Sequence, residues 1–341
     1  MNKNKFFNRF PFFIAEISGN HGGKITNAKK LILLAKKYGA DAVKLQTYTA
    51  DMMTLKNKEE IKGGLWKNEK LWDLYNRAHT PLKWHKKLFD YAKKINIKIF
   101  STPFSEESVT FLEKLNCPVY KISSFEMNDL NLIKAVAKTK KPIIISTGTF
   151  LLKEIDRTIK FAKYNGAKEI ILLYCVSCYP SKDEDFNLNN IKILKKKYNL
   201  QIGLSDHSKG SIISEYSIFM GAEIFEKHIT LSNIKNAVDK EFSLKNIEIR
   251  NYKNKLERAF NFIKNKSFFR SKNELKNIYY RRSVYASADI YPGELFTKKN
   301  IKNLRPNKGL SADKYLCLLG KKSKIFIKKN TPIKQHHIKK I

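Results

Sequence analysis

The sequence predicts a (β/α)8 barrel followed by a small β-rich domain. Three observations carry this. Eight short apolar runs recur along the first two thirds of the chain, each ending in polar or titratable residues. The stretches between them place apolar residues three and four apart, the period of an amphipathic helix. Three times a helical stretch meets the next run through Gly-Ala: Gly39-Ala40, Gly166-Ala167 and Gly221-Ala222. Glycine is the natural residue just past a helix end. In such barrels the polar ends of the strands build the active site.

Strands are expected at 12–17, 41–46, 97–100, 118–122, 142–146, 169–175, 201–205 and 223–228. Their near-continuous Val, Ile and Leu fit parallel strands buried on both faces. Helical faces are marked by Leu31, Leu34 and Ala35, by Phe111, Leu112 and Leu115, and by Ile155, Ile159 and Ala162. Residues 47–80 form a long insert after the second strand, with Ile61-Lys62-Gly63-Gly64-Leu65-Trp66 at its middle. Loops of that length in a compact domain usually have a function. The last barrel helix is expected at 246–265, which sets the barrel domain at 1–265. A polar, Lys-rich linker follows at 266–278. From 279 to 341 short β-like pieces, Ser283–Ala286, Ile290–Glu294 and Leu304-Arg305-Pro306, form a separate small domain.

A chain of 341 residues with 42% hydrophobic content holds one large core and a small one. The formal charge of +36 raises nucleic acid or an anionic membrane as partner. The excess is mostly lysine on polar helix faces, as in Lys29-Lys30, Lys36-Lys37 and Lys195-Lys196-Lys197, alongside abundant Asn and Ile. It reads as a solvated surface of biased composition, with no specific nucleic acid and no membrane partner. Cys175-Val176-Ser177-Cys178 lacks the second pair a zinc ribbon needs, and it ends a strand instead of opening a helix. The four cysteines are expected as reduced thiols of a cytoplasmic protein. No apolar run approaches membrane-spanning length. Glu16 interrupts the apolar stretch behind Lys3, Lys5 and Arg9, which argues against a signal peptide.

Several strand ends carry chemistry. A lysine inside an apolar strand, as at Lys44 and Lys121, can reach only the barrel mouth, because an unpaired buried charge is costly. His207 and His228 end the last two strands, which are neighbours in a closed barrel; two neutral imidazoles there can hold one divalent cation. A lone histidine is equally a hydrogen-bonded core residue, the reading kept for His79, His85, His336 and His337. Glu16 and Glu126 supply carboxylates. Serines at strand ends also serve as helix caps.

The motifs Ala15-Glu16-Ile17-Ser18-Gly19-Asn20-His21-Gly22-Gly23, Lys44-Leu45-Gln46-Thr47, Ser101-Thr102-Pro103-Phe104 and Tyr120 to Glu126 resemble those of the sialic acid synthase family. So do Ser146-Thr147-Gly148, Gly203 to Ser208 and Glu226-Lys227-His228, in the same order. The C-terminal piece is similar to that family's antifreeze-like (SAF) domain. Gln46 to Asp51, Ile61 to Trp66, Leu74 to His85 and Asp239 to Leu244 resemble the pseudaminic acid synthase branch most.

The resemblance implies condensation of phosphoenolpyruvate (PEP) with a 2,4-diacetamido-2,4,6-trideoxy hexose, with release of phosphate. It implies Mn2+, Mg2+ or Co2+ on His207 and His228, and Glu16 close to metal and PEP. Lys44, Thr102, Lys121, Ser124, Ser146, Ser177 and Ser205 would bind PEP. Gln46, Glu126, Tyr179 and Asp239 would line the sugar pocket. Ser177 departs from the asparagine common in the family. Arg305 matches an arginine that reaches into the partner's site, which implies a domain-swapped homodimer. The rival reading within the family is an N-acetylneuraminate or legionaminate synthase. From another class, the rival is a non-catalytic, polyanion-binding barrel, against which Glu16, Lys44, Lys121, His207 and His228 all stand intact.

Overall fold

The eight apolar runs pair into a closed parallel barrel in a computed structural model that describes residues 6–56, 59–265 and 267–339. The strands are β1 (Phe12–Glu16), β2 (Ala42–Thr47), β3 (Lys98–Pro103), β4 (Tyr120–Ile122), β5 (Ile143–Ser146), β6 (Ile170–Cys175), β7 (Gln201–Asp206) and β8 (Ile224–Thr230). Each pairs with its successor, and β8 pairs with β1. A two-residue strand, β9 (Leu244–Lys245), extends the end of β8. Lys3 and Lys5 lie outside the described residues, as do Asn57 and Lys58 of the insert.

Helices connect the strands: α1 (Ile25–Lys37), α2 (Ala50–Met53), α3 (Leu71–Ala78), α4 (Leu82–Lys94), α5 (Glu106–Lys114), α6 (Leu130–Lys138), α7 (Leu152–Tyr164), α8 (Asn189–Tyr198), α9 (Ile212–Phe219) and α10 (Ile247–Ile263). α1 buries Ala28, Leu31, Ile32 and Ala35, and α7 buries Ile155, Ile159 and Ala162. That spacing turns one stripe to the barrel and leaves the lysines in water. Side chains start two of the helices. Ser105 accepts from Ser108 N, and Asp129 accepts from Asn131 N and Leu132 N. Gly39, Gly166 and Gly221 stop three, at φ of 88°, 104° and 100°, a conformation a side chain would strain.

Phe6, Phe7, Phe12 and Phe100 stack edge to face, with ring centroids 5.0–5.9 Å apart. They pack at the start of β1, away from the polar strand ends. The insert after β2 contains α2, a loop closed by an antiparallel bridge between Glu60 and Lys70, and α3. Among the described residues no helix is long and apolar enough to cross a membrane.

Residues Met1–Lys264 form one compact unit and Asn265–Ile341 another. The stretch expected as linker carries a short helix, α11 (Lys272–Lys276), and belongs with the small unit. That unit holds an antiparallel pair, β10 (Ser283–Ala286) and β11 (Ile301–Leu304), and a one-turn helix, α12 (Tyr315–Leu318). Its core is Val284, Ala286, Ile290, Phe296, Ile301, Leu318, Ile327 and Ile333. Ile290 to Glu294, expected as a β piece, contributes a single bridge from Ile290 to Ile327.

Candidate active site

Strand register determines which side chains share the barrel interior. Glu16 is level with Lys44 on one side and with His228 on the other. Gln46 is level with Thr102, Cys175 with Ser205, and Ser205 with Glu226. Side chains alternate faces along a strand, so Lys44 and Gln46 share the inner face of β2, and Glu226 and His228 that of β8. Lys121, Ser146, Ser205 and these four line a cavity of about 580 Å3 at the carboxyl ends of the strands. The loops add Ser124, Glu126, Ser177, Tyr179, His207 and Asp239. Glu16 and Thr102 do not line the cavity. They are fully buried and touch it through Lys44.

The floor is a charged cluster cut off from water. Lys44 Nζ lies 2.6 Å from Glu16 Oε2 and 3.4 Å from Glu226 Oε1, and donates to Thr102 Oγ1 at 3.1 Å. Lys121 Nζ lies 3.5 Å from the same Glu226 oxygen, to which Ser205 Oγ donates at 3.3 Å. Burial opposes ionisation of Glu226, but Lys121 and Lys44 outweigh it and hold the carboxyl at about 2. Burial would also lower Lys44; Glu16 and Glu226 outweigh it and push the ammonium up. For Lys121 burial wins over Glu226, and its pKa falls. Burial likewise raises Glu16, against the pull of Lys44. Glu226 is thus the shared counterion of two lysines. The sequence reading assigned it no role, although its place two residues before His228 on one strand puts both on one face.

Next to this floor are unused hydrogen-bonding groups. Ser146 Oγ and Glu226 Oε2 are buried with no hydrogen-bond partner among the described residues. Buried polar atoms are rarely left so, and these mark where a bound group belongs. Gly148 N donates to Ser124 Oγ at 3.2 Å, and a Cβ at Gly148 would sit 2.2 Å from Ser177 Oγ. Ser124 and Ser177 therefore meet at one glycine.

The imidazoles of His207 and His228 stand with ring centroids 5.4 Å apart. His207 Nδ1 lies 3.2 Å from Val176 O, and His228 Nδ1 lies 3.2 Å from Asp239 Oδ2. The Val176 carbonyl places the His207 proton on Nδ1 and leaves its Nε2 lone pair for a cation, whereas His228 Nδ1 lies beside the Asp239 carboxylate without an aligned hydrogen bond. Asp239 is held in turn: its N–H donates to Asn20 Oδ1 at 2.8 Å, and its carbonyl accepts from Ser243 Oγ at 2.6 Å. Asn20 Nδ2 donates to Ile229 O and to Ser243 Oγ, both at 2.9 Å. Burial opposes the Asp239 charge, but the His228 ring beside it outweighs burial and lowers the carboxyl. Among the described residues no group of three or more His, Cys, Asp or Glu is placed to hold a metal. Two adjacent imidazoles fit a cation that completes its shell with substrate or water oxygens.

Asp206, beside His207, lies on the outer face of β7. There it pairs with Lys227 at 3.0 Å and accepts from Ser208 and Ser214, so it ties the loop after β7. His85 is a satisfied core histidine, 2.8 Å from Thr47 Oγ1. All four cysteines are free thiols; Cys175 Sγ lies 3.8 Å from His207 Nδ1.

Around the histidines the cavity turns aromatic. Tyr179 packs 4.5 Å from the His207 ring, and Phe242 packs 5.0 Å from His228. Glu126 is pushed up to about 7 by burial, against Lys121. Arg305 follows β11 in the small unit and is exposed. Asn20, Phe242 and Ser243 stand in the sequence motifs without a role, because Asn20 and Ser243 meet across more than two hundred residues and Phe242 meets Tyr179, His207 and His228 only in the folded chain.

The chain is similar to known proteins over most of its length. The NeuB family model matches residues 31–267, and the SAF domain model matches residues 281–339. The chain is 41% identical over 327 residues to a pseudaminic acid synthase of Campylobacter jejuni, covering 95% of each. It is 40% identical to the pseudaminic acid synthase of Helicobacter pylori, covering 97% of this chain and 98% of that one. The crystal structure of the N-acetylneuraminic acid synthetase of Leptospira borgpetersenii superposes with a TM-score of 0.71 at 32% identity, covering 78% of this chain and 90% of that one.

Proposed function

The chain belongs to the NeuB family, and on that premise we propose that it condenses PEP with 2,4-diacetamido-2,4,6-trideoxy-L-altrose. The products are pseudaminic acid and phosphate. The observation that carries this reading is the floor of the cavity, where two buried lysines share one carboxylate beside the open hydroxyl of Ser146. Such a site suits a small, multiply charged anion.

In this reading Lys44 and Lys121 take the anionic groups of PEP as point charges. Ser124, Ser146, Ser177 and Ser205 fill the remaining oxygens, and Thr102 steadies Lys44. A divalent cation (Mn2+, Mg2+ or Co2+) on His207 and His228 would supply Lewis-acid polarisation of the open-chain sugar's aldehyde oxygen. C3 of PEP attacks the aldehyde carbon and water adds at C2. The tetrahedral centre then expels phosphate by C–O cleavage. Glu16, bound to Lys44, orients groups at the PEP end. Glu126, with a carboxyl at about 7, can donate to or accept from a sugar hydroxyl near neutral pH. Gln46, Tyr179 and Asp239 border the sugar. Arg305 reaches the sugar in the barrel of a second copy, in a domain-swapped homodimer. The four free thiols suit the reducing cytoplasm, where the reading places the enzyme.

The test is to incubate the protein and a divalent cation with PEP and a panel of mono- and diacetamido sugars, and to weigh the products. The expected product is a nine-carbon acid from the diacetamido-trideoxy sugar. A preference for N-acetylmannosamine or for the legionaminate precursor would reassign the substrate. With PEP labelled at the bridging oxygen, the label should appear in phosphate; unlabelled phosphate would mean P–O cleavage.

A further inference from the structure

The cavity lining has two origins. Barrel strands and their short loops bring the charged and hydroxyl groups. The insert after β2 brings Ile61, Leu65, Trp66, Leu71 and Leu74, and at its two ends Tyr48 and Tyr75 with their phenol hydroxyls. Between the two tyrosines these five side chains offer one polar atom, the Trp66 indole N–H, and it is already used: it donates to Val238 O at 3.3 Å. That bond ties the insert to the loop after β8. The Trp66 ring also packs 5.7 Å from Tyr179, whose ring lies 4.5 Å from His207. The bridge between Glu60 and Lys70 closes the loop that presents Ile61, Leu65 and Trp66. The bridged loop, through Ile61, Leu65 and Trp66, therefore forms an apolar wall two ring contacts from His207.

We infer that this wall is the subsite for the C6 methyl group of the sugar, and that it selects 6-deoxy over 6-hydroxy hexoses. The inference rests on the synthase reading above. Each acetamido group carries an N–H and a carbonyl and needs polar partners, which Gln46, Glu126 and Asp239 can offer. The C6 end of a 6-deoxy sugar carries no polar atom and is matched by a wall that has none to spare. A hydroxyl at C6 would be stripped of water there and left without a partner.

The experiment compares kcat/KM for two sugars of one configuration, the 2,4-diacetamido-2,4,6-trideoxy hexose and its 6-hydroxy counterpart. The wild-type protein should prefer the 6-deoxy sugar by on the order of a hundredfold, the scale on which an apolar pocket rejects an added hydroxyl. Ile61→Asn and Leu65→Asn place a hydrogen-bonding amide in the wall. Leu65 is 39% exposed, so its replacement leaves the core intact. Either variant should narrow the preference about tenfold or more, mostly by improving use of the 6-hydroxy sugar, with KM for PEP unchanged. A wild-type preference near unity, or one that neither variant moves, overturns the inference while the synthase reading stands. Absence of product from every sugar in the panel overturns the synthase reading itself.

Discussion

Glu226 shows how much one carboxylate can determine. It holds two lysines together below the cavity, and its low pKa comes from both of them outweighing burial. Removing one member of a buried charge cluster costs about 3–5 kcal/mol, because the others are left uncompensated. Glu226→Gln should therefore lower the melting temperature clearly, and added PEP should recover part of the loss by supplying the missing negative charge. An unchanged melting temperature would show that the lysines do not depend on this counterion. Glu126 gives a prediction in pH. Its folded pKa, raised by burial to about 7, lies above the model value of 4.5. The folded state thus holds the proton more tightly, and this contribution to stability is present below pH 4.5 and lost as pH rises through about 7. Glu126→Gln should abolish that part of the decline, at most about 3 kcal/mol, in denaturant titrations across the window. His207→Ala and His228→Ala should each abolish turnover and leave the circular dichroism spectrum unchanged, since both line the cavity mouth; full activity in either would sink the metal assignment.

At the scale of elements, the site depends on how closely β7 can approach its neighbours. A Cβ at Gly203 would fall 2.0 Å from Ile224 O and 2.6 Å from Leu173 Cδ2. Gly203→Ala must push β7 away from β8, and with it Ser205 from Glu226. Overpacking of this kind costs about 1–3 kcal/mol or more, so the expected result is a lowered melting temperature together with weakened PEP binding. Gly63→Ala is the control: a Cβ there meets nothing within 4 Å and its φ is not positive, so stability should stay within about 0.5 kcal/mol. Equal effects from the two would mean that close strand approach does not govern the site.

At the scale of the whole molecule, the proposed dimer gives the small unit a part in sugar use. If Arg305 completes the site of a second copy, Arg305→Ala should reduce kcat/KM for the sugar by roughly ten- to a hundredfold, the worth of a charged hydrogen bond of about 1.5–3 kcal/mol, and barely affect PEP. Mixing the inactive His207→Ala protein with the impaired Arg305→Ala protein decides between chains. Subunit exchange would create dimers with one complete site, and activity should partly return. No return after demonstrated exchange would confine Arg305 to its own chain.

The sequence by itself determined the barrel, its strands and the polar rim. Periodicity is local: an apolar run followed by a charged residue reads the same in any surroundings, and Lys44, Lys121, His207 and His228 are legible on that basis. Strand ends were less so. β3 runs on to Pro103 and β8 to Thr230, because pairing with β2 in one case and with β1 and β9 in the other carries them past their apolar cores. Only the tertiary structure decided who partners whom. It made Glu226 the counterion of two lysines from β2 and β4, placed Glu16 and Thr102 beneath the cavity, and set Asp239 against His228 through Asn20. It also turned Asp206 outward to Lys227. The physical reason is that a residue's face follows from its neighbours in sequence, whereas its partner follows from barrel closure, which joins β1 to β8 across two hundred residues and sets the distances on which every charge in the site depends.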